Sequence, residues 1–370
     1  VFNSNDNYIL KSLSLYAMPK TLNILFSPLD WGLGHASRSL PLLQYLEAEG
    51  HHLMIGVNQL TKSFLQEHIS RAEFFDMSSY GITYSKSASF ITFAALAPRI
   101  LKAKKKESEW VKDFVYGHKV DLIISDSRFG FRHPEIKSVI ISHQLNLQFP
   151  KGWAKVGKRA QKVNEKWLNE FDEVWIPDEE NHYLSGDLSN SSLLKSRFIG
   201  IQSRMIKEES ERPESDPYIL CILSGPEPQR SILEKNIRQQ SPQIREHVVI
   251  VGGRPDKPCK IFNCANTTYH HHLDTKTLAQ YIQHADLVIS RSGYSSLMDY
   301  YQLECKKMFL IPSPGQTEQI YLAKRMKEMG ICDFSLQKSF SLVEIIKSEE
   351  VWEGFNNELK PLDLSRLLHF

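Results

Sequence analysis

The 370-residue chain has no apolar run approaching the roughly 18–20 residues that span a bilayer, so nothing in it reads as a transmembrane helix. Cysteine is sparse and odd in number: Cys221, Cys259, Cys264, Cys305 and Cys332. No two form a C-x-x-C pair. This argues against a zinc site or a disulfide framework and for free thiols in a reducing, cytoplasmic compartment. An excess of one charge is also lacking. The net charge of +2 gives no global reason to expect a nucleic-acid partner. The first residues have neither a basic head nor a long apolar core, so no signal peptide is read there. Residues 1–17 are expected to be a disordered extension, with the first domain starting near Met18. The dinucleotide fingerprint G-x-G-x-x-G is missing, because Gly32-Leu33-Gly34 is followed by His35-Ala36-Ser37. Asp126-Ser127-Arg128 is not a D-x-D motif, and no metal or other cofactor is expected.

What is present alternates. Apolar runs at 22–27, 52–57, 121–126, 138–143 and 173–177 read as buried strands, and 197–200 closes that series. Between the first two, Leu40, Leu43 and Leu46 recur at helical spacing and Gly50 supplies a stop. A second series follows at 218–225, 247–253, 285–290 and 307–312. Strand–turn–helix–strand order predicts an α/β fold with two Rossmann-like parallel-sheet domains. Their boundaries are expected at 18–202 and 218–350. The charged, Ser- and Pro-bearing stretch 203–217 is read as a linker. Residues 351–370 are expected to return as a helix onto the first domain, through Trp352, Phe355 and Leu359, with Pro361 ending it. Ligands in such sheets bind beyond the carboxyl ends of the strands, so the site is expected in the cleft between domains.

The strand ending at Ser290 delivers Arg291-Ser292-Gly293-Tyr294-Ser295-Ser296 into a helix expected over 295–303. Capping serines and free first-turn amides suit a diphosphate, and Gly293 lets the chain pass close. Asp299, about one turn on, is placed to take a ribose diol. The next strand ends in Pro312-Ser313-Pro314-Gly315, then Thr317-Glu318-Gln319, whose carboxylate and amide suit sugar hydroxyls. Any one of these turns could simply end a strand; their order is what carries the reading.

Residues 273–330 resemble the C-terminal domain of MurG-like glycosyltransferases, which share the GT-B fold. Arg291-Ser292-Gly293 matches the family's donor motif, Asp299 stands at its ribose-binding Glu, and Glu318-Gln319 stand at its paired glutamines. The resemblance implies a nucleoside-diphosphate donor, most simply a UDP-sugar carrying a hexose such as N-acetylglucosamine. It also implies donor contacts at Ser224, Gly225, Arg254 and Leu273. Asp for Glu and Glu for Gln leave the sugar's identity open. In the first half, Gly32, Gly34, His35 and Arg38 resemble the family's Gly-rich loop ending in His. His35 at a helix start would stay neutral near pH 7 and serve as a base. Asp126, at a strand end, is expected to assist it or bind acceptor. His143 and Gln144 resemble a family stretch on the acceptor side.

The expected reaction is metal-free, inverting transfer to an unknown acceptor, in this resemblance a lipid-linked or cell-envelope one. Residues 90–110 and 151–167 interleave basic and aromatic side chains. They suit either solvated helices or an anionic membrane surface, which would make the chain peripheral on the inner face. Two other readings keep the ligand: a nucleotide-sugar hydrolase of the same fold, and a non-catalytic nucleotide-sugar-binding protein.

Overall fold

A computed structural model describes residues 21–30, 33–77, 97–150, 152–191, 193, 195–214, 216–254, 257, 261–264, 266–348, 352–356 and 364. The first domain follows the order β1 (Asn23–Pro28), α1 (Gly34–Ala48), β2 (His52–Val57), α2 (Gln59–Gln66), β3 (Glu73–Asp76), α3 (Ala97–Gly117), β4 (Leu122–Asp126), β5 (Ser138–Ile141), α4 (Ala154–Leu168), β6 (Glu173–Ile176) and β7 (Ser196–Phe198). Its seven strands form one parallel sheet in the order β3-β2-β1-β4-β5-β6-β7. The strand order reverses between β1 and β4, which makes their carboxyl ends the switch point where ligands bind in such sheets. Ile24, Phe26, Leu122 and Ile124 meet Leu40, Leu43 and Leu46 of α1 on one face. Leu25 and Ile123 meet Val111 and Phe131 on the other. Covering on both faces is why these strands are continuous apolar runs rather than alternating ones. Gly50, at φ +83°, stops α1 as its position in the sequence predicts.

The second domain follows β8 (Tyr218–Ile222), α5 (Gln229–Gln240), β9 (His247–Val251), β10 (Ile261–Cys264), β11 (Thr267–His270), α6 (Thr275–His284), β12 (Leu287–Ser290), α7 (Tyr294–Gln302), β13 (Met308–Leu310), α8 (Thr317–Glu328), β14 (Asp333–Phe334) and α9 (Leu342–Lys347). The sheet order is β10-β11-β9-β8-β12-β13-β14. Only the β10–β11 pair is antiparallel among the described strands. Its switch point lies between β8 and β12.

The stretch 203–217, read as the linker between domains, packs on the second of them. Ile201 and Met205 are buried in the second domain's core. Beyond them Lys207 pairs with Glu304 at 2.7 Å and Arg212 with Asp286 at 3.1 Å, which lays the segment along the second domain. Leu184 and Leu188, upstream of β7, also join that core. The tail departs further. Residues 352–356 are not helical. Phe355 packs into the second domain and Trp352 lies against it. Leu364 is the residue buried in the first domain. Residues 1–17, Leu359 and Pro361 lie outside the described residues.

Candidate active site

The two switch points face each other. Ser295, in the first turn of α7, donates its hydroxyl to the carbonyl of Gly34 at the start of α1, 3.1 Å away. The serine expected as a cap is thus a bridge between domains. The N-cap position of α7 is Gly293, and no side chain caps its first-turn amides.

On the first-domain side, β1 and β4 place His35 and Asp126 together although 91 residues separate them. His35 Nδ1 lies 3.1 Å from Asp126 Oδ1. An ionised carboxylate only accepts, so Nδ1 carries the proton and Nε2 the lone pair. Asp126 is wholly buried and ringed by donors. Arg38 Nε reaches its Oδ2 at 3.0 Å, Arg38 Nη2 also bonds its Oδ1, and Ser39 Oγ donates at 3.1 Å. Burial alone would raise the Asp126 carboxyl. Arg38 and His35 reverse this and hold it well below the usual carboxylate range. For His35, burial is the main cause that lowers the imidazole below 6.5, and the Arg38 cation adds to it. Burial and Arg38, rather than the helix start alone, therefore favour the neutral form of His35. Ser127, next in the chain, sits at φ 62°, a left-handed conformation that costs a non-glycine residue about 1–2 kcal/mol. Gly32 lies outside the described residues; Gly34 is in contact range of Ser295.

On the second-domain side, the expected donor set divides. Arg291 is wholly buried and does not face the cleft. Its guanidinium donates to the carbonyls of Ile311 (3.1 Å) and Gln229 (2.9 Å) and to Gln337 Oε1 (2.6 Å). Burial pushes it down to about 10, so it remains a cation at neutral pH. Ser292 is equally buried and donates to the Gln319 carbonyl at 2.8 Å. Both residues hold the turn together from behind; the strand end directs their side chains inward. Gln319 accepts from the Ser313 amide at 2.8 Å, which fixes the loop after β13 and leaves its Nε2 toward Gly293. Gly225, at φ +89°, lies beside Ser313, so the Ser224-Gly225 turn adjoins the same rim. Arg254 is turned to Ser231 (3.3 Å) and Glu227 (3.7 Å). Leu273 packs partly against the core.

Asp299 is met by the connecting segment and Glu318 by first-domain residues across the cleft. Ser203 Oγ donates to Asp299 Oδ1 at 2.6 Å. Burial raises the Asp299 carboxyl to about 6, opposed in part by Ser203 and Arg204. Glu318 lies in the first turn of α8, where the helix dipole favours a carboxylate. It accepts from His143 Nε2 at 2.8 Å and from Gln144 Nε2. His143 stacks flat on Tyr294, with ring centroids 3.9 Å apart, and Tyr294 donates to the Pro177 carbonyl. Thr317 donates to Gln148 across the same junction. Sequence reasoning misses Ser203 and Tyr294. Ser203 sits in a loop with no motif around it, and Tyr294 has nothing to distinguish it from any other aromatic at a helix start.

The basic segments are only partly as expected. On α3, Lys104 is drawn to Glu170 at 2.7 Å and over the Trp167 ring, so neither Lys104 nor Trp167 is displayed outward. On α4, exposed Val156 and Val163 lie among Lys155, Lys158, Arg159 and Lys162. Residues 90–96 and Lys151 lie outside the described residues.

Comparisons with known proteins agree with the two-domain fold. Residues 219–361 match the glycosyltransferase family 28 C-terminal domain. No curated protein matches the chain. Among solved structures, the glycotransferase of kitacinnamycin is similar with a TM-score of 0.65 at 14% identity, over 89% of this chain and 90% of that one. Acinetobacter baumannii MurG is similar with a TM-score of 0.51 at 13% identity, over 88% and 89%. Arabidopsis thaliana UGT89C1 complexed with UDP-L-rhamnose gives 0.59 at 12% identity, over 88% of both chains. The chain has the MurG-like GT-B fold, and residues 219–361 of its second domain match the glycosyltransferase family 28 C-terminal domain model.

Proposed function

We propose that this chain, which joins a glycosyltransferase family 28 C-terminal domain to a second parallel-sheet domain in the GT-B arrangement, transfers a hexose-type sugar from a nucleoside diphosphate, with inversion and without a metal. The observation that carries the reading is the His35–Asp126 pair set against the start of α7 across the cleft. His35 Nε2 takes the proton of an acceptor hydroxyl as that oxygen attacks the anomeric carbon. The bond from that carbon to the diphosphate breaks, and the leaving phosphates gather negative charge at the α7 amides. Asp126 stabilises the imidazolium that forms. Asp299 takes the ribose diol and Glu318 the sugar hydroxyls. UDP is the nucleotide we favour, since UGT89C1, a similar structure, is complexed with UDP-L-rhamnose.

The test is a thermal-shift series with UDP-, dTDP-, GDP- and CMP-sugars, followed by sugar release without acceptor. A UDP-sugar present at 100 times its Kd should stabilise the fold by about 2.7 kcal/mol. No response to any nucleotide sugar would remove the proposal. Fast stoichiometric release without acceptor would replace transfer by hydrolysis. Binding should also depend on pH through Asp299. A carboxylate accepts from a ribose diol and a protonated acid accepts poorly. With its carboxyl near 6 in the free protein, nucleotide affinity should be full above that pH and fall by up to about tenfold per unit below it. Titration calorimetry with UDP from pH 5 to 8 checks this, and Asp299→Asn should flatten the profile.

For the acceptor we propose a lipid-linked or cell-envelope molecule approached from the cytoplasmic side. The support is the basic face of α4 with Val156 and Val163 among its cations, a composition that suits an anionic membrane surface. Among the described residues no helix is long and apolar enough to cross a membrane.

A further inference from the structure

His143 stands between two groups that the proposed reaction uses separately. On one side its Nδ1 lies 3.2 Å from Arg38 Nη1. On the other its Nε2 lies 2.8 Å from Glu318 Oε1. Guanidinium groups only donate and carboxylates only accept, so the direction of every bond is settled. Arg38 donates to Nδ1, and Nε2–H donates to Glu318. In this arrangement a proton sits on His143 Nε2 and its Nδ1 accepts. Arg38 meanwhile grips Asp126 with Nε and Nη2, and Asp126 holds His35. A continuous hydrogen-bonded chain therefore runs Glu318–His143–Arg38–Asp126–His35, from the sugar side of one domain to the base of the other. His143 and Arg38 are 5% and 3% exposed, so little water competes with these bonds. The stack on Tyr294 removes the remaining freedom of the ring.

We propose that His143 is a positioning residue, which links the state of Glu318 to the aim of Arg38 and so to the setting of His35. The role given to Glu318 and His35 rests on the reading of the site as a glycosyltransferase, but the linkage itself is a property of the protein alone. Charge or hydrogen-bond changes at Glu318 pull on the Nε2 side of His143. They are felt at Nδ1 by Arg38, whose grip on Asp126 sets the partner of His35. The groups facing His35 are Asp126 from β4, Arg38 from its own helix, His143 from the end of β5 in the same domain, and Glu318 across the cleft.

The experiment follows the His35 imidazole by proton NMR titration in the ligand-free protein. Glu318→Gln, His143→Phe and the double variant form a cycle, with His143→Gln as the conservative replacement. Phe keeps the stack on Tyr294 and removes both hydrogen bonds. We expect His143→Phe to move the His35 midpoint upward, toward 6.5, and His143→Gln to bring it back, since an amide can accept from Arg38 and donate to Glu318. Glu318→Gln should shift the midpoint in the wild type and clearly less in His143→Phe. Additive shifts in the double variant would mean that Glu318 acts on His35 through space, which overturns the proposal. An unmoved midpoint in His143→Phe overturns it as well. Melting curves confirm that each variant is folded, and Glu318→Gln lies on a less buried side chain if His143→Phe is unstable. In the transfer assay His143→Phe should lower kcat by about tenfold to a hundredfold with little change in donor KM, the mark of misaim rather than lost binding. Absence of transfer in the wild type would overturn the proposed function while leaving the NMR cycle to decide the linkage.

Discussion

Replacing His35 with alanine is expected to lower turnover by about 10²–10⁴-fold while nucleotide binding stays close to that of the wild type. The size follows from its proposed position as the one base that receives the acceptor proton. The retained binding follows from geometry, since the groups proposed for the nucleotide lie in the other domain. The pH profile gives a further signature. Burial and Arg38 hold His35 below 6.5, so its neutral, basic form persists into mildly acidic solution. At saturating donor, where the Asp299 effect on affinity is removed, the acidic limb of wild-type kcat should therefore lie below 6.5 and follow protonation of His35. In His35→Ala that acidic limb should vanish with the activity. Unchanged turnover in His35→Ala would favour a sugar-nucleotide-binding protein without catalysis at this site, and loss of UDP binding would assign His35 to the ligand instead.

The other large effect concerns Arg291, where the structure and the motif part company. Truncating this residue to alanine should cost about 3–5 kcal/mol of stability, the range for stripping a buried charged group from its partners. Four acceptors lose a donor: the carbonyls of Ile311, Pro312 and Gln229, and Gln337. Each acceptor left without a partner in the interior costs about 1–3 kcal/mol. The melting temperature should fall by roughly 10 °C. Nucleotide affinity, measured on the fraction that remains folded, should change little. If Arg291 instead held the diphosphate, the result would be reversed, with unaltered melting and weak binding. Differential scanning calorimetry and titration calorimetry on the same preparation separate the two outcomes.

The contrast shows which parts of a sequence carry positional information. Strands such as β1 and β4 are legible because both faces are covered, which demands uninterrupted apolar residues. β3 and β11 are not. They are short and carry polar residues such as Glu73, Asp76 and Thr267, and nothing in the sequence separates them from loops. His35 and Asp126 can each be singled out, but only parallel pairing of β1 with β4 brings them within one hydrogen bond. From the sequence Arg38 is merely part of the loop motif. That it joins Asp126 to His143 depends on which face of α1 turns toward the β4 and β5 ends. Arg291 misleads for a related reason. A motif records that an arginine follows a strand, whereas the direction of its side chain is set by the acceptors waiting in the interior. The motif puts Glu318 on the sugar side, yet its partners His143 and Gln144 lie in the other domain, beyond the reach of any local pattern.

The placement of Phe355 in one domain and Leu364 in the other has a mechanical consequence. The chain crosses between domains once before Tyr218 and again after Phe355, whose amide is anchored on the Cys305 carbonyl at 2.9 Å. A body tied to another at a single point can swivel in any direction. Tied at two, it keeps one easy freedom, rotation about the line through both ties. Sliding or twisting of one sheet past the other is then resisted by the backbone itself, which keeps the α1 and α7 ends in register.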